Sequence, residues 1–211
     1  MATRLTLISH AVTEAQRHAA FPSNEPLGDG EMEKISALRW NAPRAQRILR
    51  APELRAQQTS QALGLSAELD SDLRDCDYGA WSGFSLSDVA SRNPEEVALW
   101  LSDPGAAPHG GESIADLISR VGLWLEKQRD GGHTLAITHP PVIRAAILCA
   151  LGASAQTFWR IDIAPLSTTD LRWNERMWTL RSSGCGLQTL VSSSQGCNPQ
   201  TWPGRSRFID L

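Results

Sequence analysis

Leu5-Thr6-Leu7-Ile8-Ser9-His10-Ala11-Val12-Thr13-Glu14 begins as an apolar run, Leu5 to Ile8, and stops at a histidine set among small residues. A short run of this kind reads as a buried strand that hands His10 to a loop. In open α/β sheets ligands bind in the crevice beyond the carboxyl ends of the strands, so an imidazole at such an end is a site candidate by position alone. The pattern recurs at His133-Thr134-Leu135-Ala136-Ile137-Thr138-His139-Pro140-Pro141, where a second apolar strand halts at His139 and two prolines start a helix running to Leu151-Gly152. Proline suits a first helical turn because it has no N–H to leave unpaired, and a helix N-terminus attracts negative charge. The second imidazole therefore sits beside a natural anion-binding end.

Between these two strands the chain alternates helix and strand signals. Thr13 to Gly30 reads as a helical start followed by a loop that overhangs the strand end, carrying Gln16, Arg17 and His18. Glu31 to Trp40 has helical spacing, with Pro43 beyond it. Arg47-Ile48-Leu49-Arg50 reads as a short strand, and Glu53 to Gly64 as a helix stopped by glycine, so Arg55 falls in a first turn. A third strand is expected over Glu68 to Leu73, then a shaped loop from Arg74 to Gly83. Ser85 to Ser102 gives one or two short helices of a small insertion, about 81–111, with Trp81 and Trp100 as its core. Glu112-Ser113 opens a long amphipathic helix ending by Gly131-Gly132. Trp159 to Ile163, Thr168 to Trp173 and Met177 to Arg181 read as edge strands, with a hairpin turn at Asn174-Glu175. The expected fold is a three-layer α/β/α domain over residues 1–183 with a mostly parallel central sheet. Residues 184–211 read as a tail of little core, from which Trp202, Phe208 and Ile209 could dock.

Composition excludes several classes. A formal charge of -3 and a pI near 5.9, with both signs scattered, leave no basic stripe for a nucleic-acid backbone. No apolar run approaches the ~20 residues of a membrane span. Met1 to Arg4 leads straight into a strand without a secretory apolar region, so a cytoplasmic protein is expected. Cys76, Cys149, Cys185 and Cys197 have neither CxxC spacing nor paired histidines, so no zinc site or disulfide framework is expected.

Four groups fall where strands hand over to loops or helices: His10, Arg55, Asp75 and His139. This set suits phosphoryl transfer through a histidine. A neutral imidazole nitrogen attacks phosphorus, cations hold the equatorial oxygens, and a carboxylic acid protonates the leaving alkoxide before helping water attack the phosphohistidine. Such chemistry calls for neither metal nor cofactor. Asp77 competes with Asp75 for the acid's place.

With these residues in view, the chain resembles the histidine phosphatase superfamily, the phosphoglycerate mutase-like group, from Leu5 to about Leu180. Leu7 to Thr13 stands where that family has Arg-His-Gly-Glu-Thr, which implies His10 as the phosphorylated nucleophile. Leu54-Arg55-Ala56-Gln57-Gln58-Thr59 is similar to its second phosphate-binding arginine block, and Leu73 to Gly83 to the block of the proton donor, implying Arg55 and Asp75 in those roles. Gly110-Gly111-Glu112-Ser113 looks like its Gly-Glu-Ser element, and Thr138 to Arg144 like Ser-His-Gly-Gly-Val-Ile-Arg, implying a phosphate contact for Glu112 and a site role for His139. Gln16 and Arg17 join the expected substrate contacts.

Three departures bear on activity. Ser9 replaces the signature arginine, Ala11 the glycine whose carbonyl orients the imidazole, and Pro140 the glycine after the second histidine. Losing one transition-state donor typically costs about 10²–10³ in rate, small against accelerations of phosphate-ester hydrolysis that reach ~10²¹. Ser9 can still donate one hydrogen bond, and Arg17, Arg44 and Arg144 are candidates to restore the charge. Two readings follow: a phosphomonoesterase for a small phosphorylated metabolite, and a degenerate phosphatase that binds a phosphorylated ligand or protein with little turnover. A mutase is disfavoured because the insertion is short. Nothing in the chain specifies the substrate or the oligomeric state.

Overall fold

The computed structural model describes residues 3–38 and 40–187. In chain order the elements are β1 (Thr3–Ser9), α1 (Glu14–Arg17), α2 (Glu31–Ser36), β2 (Arg47–Arg50), α3 (Leu54–Ala62), β3 (Glu68–Leu69), α4 (Leu86–Arg92), α5 (Pro94–Ser102), α6 (Ile114–Lys127), β4 (His133–Thr138), α7 (Pro140–Leu151), β5 (Ser167–Trp173) and β6 (Trp178–Gly186). Six strands form one sheet in the order β3-β2-β4-β1-β5-β6. The first four are parallel, and β5 and β6 close one side as an antiparallel hairpin.

β1 and β4 are apolar because both faces of each are covered, as central parallel strands require. Their register pairs Ile8 with Ile137 and Ser9 with Thr138, so the residues that follow, His10 and His139, emerge side by side. On the other flank of β4, Arg50 of β2 pairs with Ile137, which brings the start of α3 to the same end of the sheet. α7 carries the expected proline start and ends at Gly152 in the left-handed region. Among the described residues, no helix is long and apolar enough to cross a membrane.

The helical insertion is present as α4 and α5, and its core is aromatic. Trp81 and Trp100 are nearly inaccessible, their rings 5.6 Å apart, with Phe21, Tyr78 and His109 around them. Two loops cross beneath it: Ala80 N donates to His109 O, and Glu112 N donates to Asp77 O. The crossing has no room for side chains. A Cβ on Gly111 would lie 2.2 Å from Asp77 O, and one on Gly79, at φ +46°, 2.1 Å from His109 O.

Four expectations need correction. The strand expected over Glu68 to Leu73 ends at Leu69, because the Asp70 carboxylate caps a 3₁₀ turn over Ser71–Leu73 that buries Leu73. Trp159 to Ile163 is not a strand. Ala155–Arg160 forms a 3₁₀ helix whose Trp159 packs on Trp100 at 4.5 Å, and the Arg144 guanidinium claims the carbonyl of Ile161. The helix expected over Glu31 to Trp40 stops at Ser36, whose hydroxyl bonds the carbonyls of Met32 and Ala62. The last strand runs on to Gly186, with Leu187 buried, so polar composition from Ser182 onward does not end the sheet. Trp202, Phe208 and Ile209 lie outside the described residues.

Gly111→Ala is expected to lower stability by about 1–3 kcal/mol through overpacking at the loop crossing. At about 2–4 °C of Tm per kcal/mol for a domain this size, a thermal melt resolves the loss; an unchanged Tm refutes the tight crossing.

Candidate active site

His10 is 2% exposed, and its Nδ1 lies 2.7 Å from the carbonyl of Ala11. A carbonyl can only accept, so Nδ1 carries the proton and the lone pair is on Nε2. Ala11 thus does what was expected of the glycine it replaces, since the interaction uses backbone. Burial foremost, then the nearby His139 and Arg55, lowers the His10 pKa from 6.5 to about 3, so the ring is neutral near neutral pH.

Arg55 is buried in the first turn of α3, whose leading N–H, that of Leu54, is capped by the side chain of Asn24. Its guanidinium is shared three ways: Nε donates to His139 Nδ1 at 3.2 Å, Nη1 to Ser23 O at 2.7 Å, and Nη2 to Asp75 Oδ2 at 2.6 Å. Glu25 approaches Nη1 at 3.7 Å. The overhanging loop expected after Thr13 therefore seats on Arg55 itself. Because a guanidinium has no acceptor, His139 Nδ1 must be the bare nitrogen and Nε2 the protonated one. That Nε2–H donates to Glu53 Oε2 at 2.6 Å. The His10 and His139 ring centroids are 5.1 Å apart.

Asp75 lies 3.4 Å from His139 Nδ1 through the same Oδ2 that holds Arg55. Burial alone would raise its pKa, but positive charge on His139 whenever that ring is protonated, and on Arg55 at 2.6 Å, outweighs burial and holds it below the ordinary carboxylate value. Asp77, its rival, is exposed and caps the turn at Gly79. The loop bearing Asp75 is held from behind by Arg120, which donates to the carbonyls of Asp72, Arg74 and Asp75 and pairs with both oxygens of Glu112.

Four expected residues thus converge: His10, Arg55, Asp75 and His139. Three others are engaged elsewhere. Gln16 completes a reciprocal cap with Thr13, Arg17 pairs with Glu14 and Glu31, and Glu112 pairs with Arg120 and Arg74. Nor do the described contacts of the spare arginines restore the lost charge. Arg44 is exposed, while Arg144 donates to Ile161 O and lies near the Phe158 and Trp159 rings. Ser9 is wholly buried, and among the described residues its hydroxyl has no hydrogen-bond partner. Two carboxylates, Glu25 and Asp75, thus face the Arg55 guanidinium, and a third, Glu53, holds the far edge of His139.

Glu53, Ser23, Asn24 and Arg120 escaped sequence reading. An acid just after Pro52 at a helix start reads as a partner of the helix dipole, and only tertiary contact turns it toward His139.

A family model described as the histidine phosphatase superfamily (branch 1) matches residues 5–185. The bifunctional protein Rv2228c of Mycobacterium tuberculosis is 30% identical over 182 residues, which are 80% of this chain and 50% of that protein, so the chain spans about half that relative's length. The glucosyl-3-phosphoglycerate phosphatase of Mycolicibacterium vanbaalenii is 26% identical over 210 residues, 83% of this chain and 93% of that one. Among solved structures, Entamoeba histolytica phosphoserine phosphatase in complex with 3-phosphoglyceric acid matches with a TM-score of 0.74 at 18% identity, over 88% of this chain and 99% of that one, a likeness of fold.

Two outcomes are expected of this geometry. From pH 6.5 down to about 3 the unfolded chain takes a proton at His10 that the folded chain refuses, so stability falls as pH falls through that window. Glu53, lowered from 4.5 to about 2 despite its burial by His139, adds a further loss as pH falls from 4.5 toward 2. In urea melts His10→Asn should flatten the decline between pH 6.5 and 4.5; an unchanged slope would contradict a buried neutral imidazole. Arg120→Met should cost about 3–5 kcal/mol by leaving the mostly buried Glu112 charge only the exposed Arg74 at 3.8 Å, and adding Glu112→Leu should recover part of that loss.

Proposed function

Because the chain belongs to the histidine phosphatase superfamily, we propose that it is a phosphomonoesterase that hydrolyses small phosphorylated metabolites through a phosphohistidine on His10. The observation that carries this reading is the bond from His10 Nδ1 to the Ala11 carbonyl. It leaves a neutral ring with its Nε2 lone pair free, beside a guanidinium, a carboxyl group and a second imidazole.

In the proposed route the phosphoryl group lies between His10 and Arg55. His10 Nε2 forms a bond to phosphorus as the bond to the ester oxygen breaks, and Arg55 holds the charge on the equatorial oxygens. In the free site Asp75 is held ionised by its ion pair with the Arg55 guanidinium. An arriving phosphate competes for Arg55 and sets a like charge beside Asp75. Both effects raise the Asp75 pKa, so as substrate binds the carboxylate takes up a proton from solvent, which it then gives to the leaving alkoxide. The resulting carboxylate then takes a proton from the water that attacks the phosphohistidine. This returns His10 and frees inorganic phosphate. The substrates in the names of the relatives, glucosyl-3-phosphoglycerate and phosphoserine, support small phosphomonoesters as the class.

A second reading, a degenerate phosphatase that binds a phosphorylated ligand or protein with little turnover, is favoured by Ser9 and by the carboxylate excess around Arg55. One experiment separates the two. Hydrolysis of an aryl phosphate and a panel of metabolite phosphates is measured with chelator present, for wild type, His10→Ala and Ser9→Arg. The phosphatase reading expects wild-type turnover that His10→Ala lowers by at least about 10³-fold. An inert wild type with activity gained in Ser9→Arg, by about 10²–10³ over background, would establish the binder instead.

A further inference from the structure

Glu53 stands in an unusual place. It is the residue before α3, yet its carboxylate does not cap its own helix, a task taken by Asn24. Instead Oε2 accepts the Nε2–H of His139 at 2.6 Å, and Oε1 accepts the backbone N–H of Asp75 at 3.0 Å. Two residues on, Arg55 covers the other nitrogen of the same ring. Glu53 and Arg55 therefore grip His139 from opposite edges. The edge facing Arg55 and Asp75, and hence the phosphoryl position of the proposed reaction, is the bare Nδ1.

A bare nitrogen cannot donate to a phosphoryl oxygen. For His139 to hold phosphate, Nδ1 must gain a proton while Nε2 keeps its own. A carboxylate on the far nitrogen is the arrangement that fixes an imidazole's tautomer and stabilises the imidazolium once it forms. The other groups facing the ring are Arg55 from α3, Asp75 from the loop after Leu73, and His10 from the end of β1.

We propose that Glu53 is a positioning residue that makes His139 the second cationic clamp of the site, so that an imidazolium supplies the charge Ser9 does not. The inference rests on the phosphatase reading. The substrate arrives as the phosphate monoester monoanion and passes its proton to Nδ1. Dianion and imidazolium then face each other with no change in total charge, and Nδ1–H donates to a phosphoryl oxygen. Glu53 acts only through the ring and touches no reacting atom.

The test joins kinetics to nitrogen-15 NMR of protein labelled at histidine. In wild type without phosphate, His139 should carry one proton, on Nε2; with saturating inorganic phosphate it should carry two. Glu53→Gln keeps the side-chain shape and removes the charge. It should lose the second proton, lower kcat about 10- to 100-fold, the usual scale for such supporting partners, with a smaller change in KM, and move the alkaline limb of the kcat profile to lower pH. Glu53→Asp, which restores a carboxylate, should recover part of kcat and move that limb back. A Glu53→Gln enzyme with wild-type kcat and pH profile, or one that binds phosphate more tightly because an internal competitor is gone, overturns the proposal. If wild type hydrolyses nothing, the phosphatase reading fails, and the spectra still decide the role of Glu53. A second proton on His139 that appears with phosphate in wild type but not in Glu53→Gln upholds it, and a ring that phosphate does not protonate refutes it.

Discussion

The parallel pairing of β1 with β4 is the constraint from which the candidate site follows. Each strand ends at a histidine, and the register Ser9 with Thr138 brings both histidines out of the sheet at the same level. A parallel neighbour presents its carboxyl end at the same edge, so β2, paired to the far side of β4, adds the helix that carries Arg55. A slip of one residue would turn every side chain of β1 to the opposite face. It would bury the wrong residues and separate the two rings at once. Stability and site geometry thus rest on one register.

Within that frame the site is a problem of charge. The buried histidine stays neutral because nothing at its edge rewards a proton enough to offset desolvation, and its basic neighbours add to the cost. The guanidinium of Arg55 is engaged at each of its nitrogens: a backbone carbonyl of the overhanging loop, a carboxylate and an imidazole all draw on it. In the proposed reaction, phosphate exchanges these partners for its own oxygens. Such exchange costs less than bringing a guanidinium from water, because the group is already desolvated and oriented.

The position of Asp75 is set from further away. Asp75 lies on a loop that owes its course to two glycines at a loop crossing, to an aromatic cluster that roofs the crossing, and to the Arg120 clamp on three carbonyls. Glu112, which sequence placed among the phosphate contacts, serves this clamp instead. Its carboxylate orients the guanidinium that fixes the Asp75 backbone. The Gly-Glu-Ser stretch therefore bears on the candidate site through the loop that carries Asp75.

Much of this was legible in the chain. Period and punctuation placed β1, β2, β4, α6 and α7, because parallel core strands are short apolar runs and helix ends carry proline, serine or glycine. The order of strand-end residues named His10, Arg55, Asp75 and His139, since local position decides which side chain leaves a strand at the crevice. Other features depended on partners distant in sequence. Trp159 to Ile163 has strand composition but packs against the insertion, and the polar residues after Ser182 still pair with β5. The burial of Asp75 and exposure of Asp77, the turning of Arg17 and Glu112 away from the histidines, and the grip of Glu53 on His139 were likewise decided by folding alone. Sequence by itself determined which residues end the strands and that they suit phosphoryl chemistry, because backbone propensity and side-chain type are local. Tertiary structure decided which charges meet and where each proton sits, because hydrogen-bond geometry and desolvation are set by neighbours that only the fold brings within reach.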